Sequence, residues 1–500
     1  MTYTLETKNE DGTVRVLTAT EEQTAIIDRA LTTKDSLMLN ALAGAAKTST
    51  LQFLCKYLPV QPILCLAFNK RIAEEMAARL PGHVKCQTLN SLGHGVWAKV
   101  SARKLVLDSK KSYRLLTAAT AKLNRREKEL AYDSFAGTLR LITRAKINGY
   151  IPDGIMSHAK RLITTDQFWE NANEDCDDEF DRFLVDEILT EAIKESYAGT
   201  IDFDDQIYMS ALFGGAFPQF PLVMVDEAQD LSPLNLEMLR KLFTGRLIAV
   251  GDPWQSIYGF RGAVSNGMRA IADEFSMTQM TLSVSFRCPK AVVRRAQQRV
   301  PHFRYADWAA EGEVIEMPKW AATDIPDGAA IICRNNAPLL KLAFSLIMHS
   351  RGIELRGFDI GPSLVKALRK LGPPTMTKSE AYLAIDKWEE EKLARKKGES
   401  ATRDRAECLR VFVDCGGSLA GAITHAETIF RERGPIQLLS GHKSKGLEWD
   451  NVFHLDPWRI PSPYAKSEES ITQELNVKYV IETRAKRNLF LVTAESFDAA

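Results

Sequence analysis

The chain has 500 residues, 45% apolar and 26% charged, which excludes a mostly disordered or fibrous protein and leaves room for three or four units at about 150 residues each. Lys and Arg total 65 against 64 Asp and Glu, so no overall basic field draws the chain to nucleic acid, and any such site has to be a local patch. The start, MTYTLETKNEDG, carries acids in place of a signal peptide's apolar stretch, and no apolar run is long enough to span a membrane. A cytoplasmic protein, or a nuclear one in a eukaryote, with no membrane partner is expected. The eight cysteines form no CxxC pair and several fall in apolar runs, the pattern of reduced core thiols without zinc or disulfides.

In chain order, runs rich in Leu, Val and Ile at 36–42, 62–68, 222–227, 246–251, 329–333, 436–440, 451–456 and 488–493 predict strands buried on both faces. Amphipathic segments between them predict helices, for example 71–80 and 234–243, the latter opened by Ser232 as N-cap and Pro233 in the first turn. Strand alternating with helix predicts an α/β fold with parallel sheets. Two blocks break the rhythm and read as helical insertions: residues 101–200, ending in the charged stretch 170–182, and 376–410, helical around 387–397. Charge runs of this kind are ordinarily solvated helix faces.

Polar clusters follow the apolar runs, at the edge where open parallel sheets bind ligands. After 36–42 come Ala43, Gly44, Ala45, Ala46, Lys47, Thr48 and Ser49. Small side chains let backbone N–H groups wrap phosphates, Lys47 supplies a charge for them, and Thr48 offers a hydroxyl to Mg²⁺. Ala41 and Ala46 stand where the phosphate-loop pattern has glycine, so a small-residue turn before an exposed lysine is the alternative. After 222–225 come Asp226 and Glu227, a carboxylate for Mg²⁺ and a base for water; a helix cap needs one acid, not the three of 226–230. After 246–250 comes Gln255, placed to sense phosphate, then Tyr258, Phe260 and Arg261, which could stack on bases and hold a backbone.

These motifs resemble, in order and over nearly the whole chain, a UvrD/Rep-type superfamily 1 DNA helicase, closest in wording to the F-box DNA helicase branch and its phage or bacterial relatives. The resemblance implies two RecA-like lobes, 1–100 with 201–280 and 281–362 with 433–500, interrupted by helical insertions at 101–200 and 363–432. It implies that Gln23, which also fits a capping box with Thr20, reads adenine, and that Phe286 stacks on it. Arg287, Gly446, Glu448 and Arg484 join Lys47, Thr48, Asp226, Glu227 and Gln255 at the nucleotide, with Glu227 as base and both arginines stabilising charge. Phe68, Asn90, Tyr258, Phe260, Arg261 and His442 face single-stranded DNA, and Asp202-Phe203-Asp204-Asp205 matches a segment ahead of the acidic motif. The implied activity is ATP- and Mg²⁺-dependent 3′→5′ translocation and unwinding at single/double-strand junctions. The alternatives are a translocase that strips proteins with little unwinding and a catalytically weak nucleic-acid clamp. The stretch Gln473-Glu474-Leu475-Asn476 lacks the paired arginines usual before the tyrosine of the last motif.

Overall fold

The structure is a computed structural model that describes residues 2–8, 14–159, 162–172, 179–257, 267–357, 360–394 and 398–498. Tyr258, Phe260 and Arg261 lie outside them. The chain divides into two compact units, Met1–Ala41 with Ala46–Leu282, and Leu42–Ala45 with Ser283–Ala500.

The first unit is built on a six-stranded sheet of β1 (Leu37–Ala41), β2 (Ile63–Ala67), β3 (Val84–Thr88), β4 (Phe220–Val225), β5 (Phe243–Gly251) and β6 (Thr278–Leu282). Their order is β6-β1-β5-β4-β2-β3, and every neighbouring pair is parallel. The apolar runs form the interior of this sheet because both faces are covered: Leu64, Val223 and Leu247 on one face and Cys65, Met224 and Ile248 on the other are all buried. Helix α1 (Glu21–Thr32) precedes β1, and α2 (Lys47–Tyr57), α3 (Lys70–Arg79) and α4 (Leu89–Ser101) follow β1, β2 and β3 in turn. Between β3 and β4 the chain forms α5 (Lys111–Lys122), α6 (Arg125–Asn148), α7 (Glu179–Tyr197) and α8 (Asp205–Phe213). Leu116, Leu141, Ile142, Val185 and Leu189 give α5, α6 and α7 a core of their own, while α8 packs into the core under the sheet through Tyr208, Met209 and Leu212.

Helix α9 (Pro233–Arg240) has the expected cap, Ser232 Oγ accepting from the Asn235 N–H at 3.3 Å. It stops at Arg240 instead of 243, because the Leu242 carbonyl already accepts from Phe220 N–H at 2.8 Å and Phe243 opens β5. Pairing with β4 outcompetes another helical turn.

The second unit carries β7 (Glu313–Glu316), β8 (Ala330–Cys333), β9 (Ile353–Leu355), β10 (Ile436–Ser440), β11 (Trp449–Leu455) and β12 (Ala485–Val492), in the order β7-β12-β11-β8-β10-β9 and all parallel. Helices Gly361–Leu371, Lys378–Leu393, Glu399–Gly416 and Leu419–Ile429 lie between β9 and β10. The charged stretch expected around 387–397 is the end of the second of these, and 395–397 fall outside the described residues. Helix α10 (Glu468–Glu482) precedes β12. The α/β class with two parallel sheets is therefore observed, and no described helix is long and apolar enough to cross a membrane.

Candidate functional site

In the first unit β1, β5 and β4 are adjacent, and their register sets Asn40 opposite Gly251 and Ala249 opposite Val225. Three segments far apart in sequence therefore leave the sheet side by side at its carboxyl edge. Past β1 the loop turns on Gly44 (φ 72°) and Ala46 (φ 54°), both left-handed. Alanine holds that conformation at a cost of roughly 1–2 kcal/mol, where the phosphate-loop pattern would place glycine. Lys47, Thr48 and Ser49 form the first turn of α2, whose leading N–H groups have no acceptor within the helix and suit an anion.

Lys47 Nζ meets Glu227 Oε1 at 2.7 Å, with both side chains mostly covered. The surface-lysine reading does not survive this contact. Glu227 is itself left-handed (φ 55°), and its N–H donates to Asp226 Oδ1 at 3.0 Å. Asp252, fully buried, accepts from Gln255 Nε2 at 2.7 Å and from Trp254 N–H at 3.0 Å. Burial, reinforced by Glu227, pushes the Asp226 carboxyl up to about 6; burial does the same to Asp252, also to about 6, with Lys47 opposing in both. Burial acts to lower Lys47, but Glu227, Asp226 and Asp252 outweigh it and hold the ammonium above its ordinary range.

Three carboxylates thus act on one ammonium, and acids grouped in this way favour a divalent cation. Among the described residues no three His, Cys, Asp or Glu side chains form a closed metal cage. One buried carboxylate and a helix-start hydroxyl, Asp226 and Thr48, fit Mg²⁺, which takes few protein ligands and completes its shell with phosphate and water.

Gln23 is buried; its Oε1 accepts from Thr20 N–H at 3.0 Å and its Nε2 donates to Thr50 Oγ1 at 2.9 Å. The capping box is real, and a primary amide has a second donor and a second lone pair for a base edge. A cavity of about 160 Å³ is lined by Phe68, Asn90, Lys146, Asp204, Asp230 and Asn235. A smaller one, about 110 Å³, is shared by Phe68 and Asn90 with Asp226 and Glu227. Asn90 Nδ2 donates to the Phe203 carbonyl at 2.9 Å, and the rings of Phe68 and Phe203 are both half exposed. The sequence motifs assign no role to Phe203, Asp252 or Gln229; an aromatic flanked by acids is the signal that points to Phe203.

In the second unit, to which Leu42–Ala45 belongs by contacts, Ser285 Oγ donates to Ala43 O at 2.9 Å, Phe286 N–H donates to Gly44 O at 2.9 Å, and Ala43 N–H donates to Tyr479 Oη at 3.0 Å. A Cβ on Gly44 would fall 2.6 Å from Arg287 Cβ, so glycine is required there. Arg287 pairs with Glu448 at 2.5 Å. Phe286 is partly exposed, its ring 6.1 Å from that of Trp308. Arg484 is buried, donating to the carbonyls of Val480 at 2.9 Å and Leu447 at 3.3 Å. His442 follows β10 in the short helix Gly441–Ser444, and Gly446 is left-handed (φ 82°). Where paired arginines are usual, Glu474 is buried and takes Arg334 through both carboxylate oxygens at 2.6–3.0 Å.

Residues 19–276 match the family model of the UvrD/REP helicase N-terminal domain and 394–496 that of the UvrD-like helicase C-terminal domain. F-box DNA helicase protein 1 of Schizosaccharomyces pombe is 24% identical over 94% of this chain and 57% of its own length; F-box DNA helicase 1 of Gallus gallus is 22% identical over 94% and 49%. ATP-dependent DNA helicase UvrD1 of Mycobacterium tuberculosis is 26% identical over 49% of the chain and 34% of its own length. The chain spans about half the length of the first two.

Proposed function

Because the chain belongs to the UvrD/REP helicase family, we propose that it is an ATP- and Mg²⁺-dependent DNA helicase that translocates 3′→5′ on single-stranded DNA and opens single/double-strand junctions. The observation that carries this reading is a shared wall: Phe68 and Asn90 line one cavity with Asp226 and Glu227, and Glu227 pairs with Lys47 across 180 residues of chain. A strand lying against Phe68 would touch the residues that surround the base.

Lys47 binds the β/γ-phosphates against the start of α2, Gln23 reads the adenine edge, and Phe286 stacks on its face. Thr48 and Asp226 hold Mg²⁺, which when bound neutralises phosphate charge. Glu227 orients and deprotonates the attacking water, Gln255 senses the terminal phosphate, and Arg287 and Arg484 meet the charge that develops in the transition state. Arg484 first has to exchange the Leu447 carbonyl for phosphate. Glu448 holds Arg287 until it is needed, and Gly446 lets the backbone beside it approach closely. Phe68, Asn90, Phe203 and His442 carry the strand, with Tyr258, Phe260 and Arg261 of the motif after Gln255. We assign 1–100 with 201–280 and 281–362 with 433–500 as the RecA-like lobes, and 101–200 and 363–432 as insertions.

The test is ATP turnover with and without single-stranded DNA, followed by strand displacement from duplexes carrying a 3′ or a 5′ tail. Stimulated turnover with displacement from the 3′ tail is expected. Turnover without displacement would assign protein stripping; DNA binding without turnover would leave a clamp.

A further inference from the structure

We infer that Gln229 is a positioning residue for ATP hydrolysis, holding Glu227 by Oε2 so that Oε1, the oxygen on the Lys47 side, is the one presented to the attacking water. This role rests on the ATPase reading above. Gln229 is almost wholly buried, in a short turn after β4. Its Nε2 donates to Glu227 Oε2 at 2.6 Å, while its Oε1 accepts from Asp252 N–H, past the end of β5, at 3.0 Å. One amide therefore ties the proposed base to the neighbouring strand, and Asp252 continues the chain of hydrogen bonds to Gln255.

The strand is shaped around that amide. A Cβ on Gly251 would lie 2.3 Å from Gln229 Oε1, 2.8 Å from Met268 Sδ and 3.1 Å from Ala228 N, so the space a side chain would need at 251 is taken by Gln229 together with Met268. The arrangement answers a specific difficulty. Lys47 must give up Glu227 when it turns to phosphate, and a carboxylate that lost its cation could follow or swing away. Gln229 grips the other oxygen with an uncharged donor, so the carboxylate stays oriented through the exchange, and an error of about 1 Å here is worth some 10²-fold in rate.

The experiment uses the full chain with saturating single-stranded DNA. Gln229→Glu keeps the length of the side chain and the acceptor for Asp252 but replaces the donor to Glu227 with a second carboxylate. The expected result is a kcat lowered about 10- to 100-fold with KM for ATP and affinity for a fluorescent ADP analogue within about twofold. A merely structural residue would lower the active fraction and melting temperature instead. Gln229→Met fills the same space with neither donor nor acceptor and should reproduce the kcat loss, but should add little in a Glu227→Gln background, where the carboxylate it holds is already gone; this cycle decides the matter if Gln229→Glu does not fold. Undiminished kcat in Gln229→Glu, or independent, multiplying losses in the cycle, would overturn this role alone. No turnover by the unsubstituted protein would overturn the ATPase reading and the role with it.

Discussion

At the scale of single residues, the Lys47–Glu227 contact makes the phosphate-loop lysine a structural as well as a chemical group. Lys47→Ala should abolish hydrolysis, and it should also strand three acids, Asp226, Glu227 and Asp252, without their ammonium. The pair is partly solvated, so the loss of stability should be on the order of 1–3 kcal/mol, below that of a fully buried pair. Adding Glu227→Gln should recover part of it, which thermal melts of the single and double variants will read. Asp204 sits at the cavity with its carboxyl pushed up to about 6, first by burial and then by Asp202 and Asp205, against Lys146. A raised carboxyl binds its proton more tightly folded than unfolded. Its favourable contribution is therefore complete below the unfolded value near 3.8 and is lost as pH climbs through about 6. Asp204→Asn mimics the protonated form, so it should raise the melting temperature at pH 8 and leave it nearly unchanged at pH 4; an equal gain at both would refute that account.

At the scale of elements, two devices set the local geometry. Ala46 bends the loop into α2 in a left-handed conformation, so Ala46→Gly should relieve about 1 kcal/mol of strain there and tighten nucleotide binding, measured by titration of a fluorescent ADP analogue. Unchanged affinity would mean the loop is built around alanine. The second device anchors the helices between β3 and β4. Lys146 of α6 reaches Asp202 at 2.6 Å and Asp205 at 2.7 Å, and Lys111 of α5 reaches Asp205 at 2.8 Å, all of these side chains almost fully covered. Lys146→Met leaves two buried acids to one lysine and should cost about 3–5 kcal/mol. Limited proteolysis should then cut within 101–200 before the rest of the chain.

At the scale of the whole molecule, the proposed activity needs strand contact to reach the hydrolytic groups, and the cavities around Phe68 give it a short route. Phe203→Ala removes a half-exposed ring that supports no described core. It should weaken single-stranded DNA binding by about 1–3 kcal/mol and cut DNA-stimulated turnover while basal, DNA-free turnover stays the same. A fall in basal turnover and melting temperature together, with DNA affinity intact, would return Phe203 to a packing role.

What the sequence by itself determined is whatever its local pattern encodes. The interior strands show as apolar runs because both their faces are covered, and the helix starts at Thr20 and Ser232 show because a cap is a matter of three neighbouring residues. The motif order was legible for the same reason. Within the two six-stranded sheets, the strands it did not reveal, β3, β6, β7 and β9, are the four edges; an edge strand pairs on one side only, can be short, and carries no continuous apolar run. Only the tertiary structure decided which polar groups meet. Lys47 and Glu227 are neighbours because β5 alone separates β1 from β4, and Gln229 can hold Glu227 because Gly251, on that intervening strand, leaves it room. Strand order and register are properties of the assembled sheet, set by many weak contacts at once, and no window of sequence contains them.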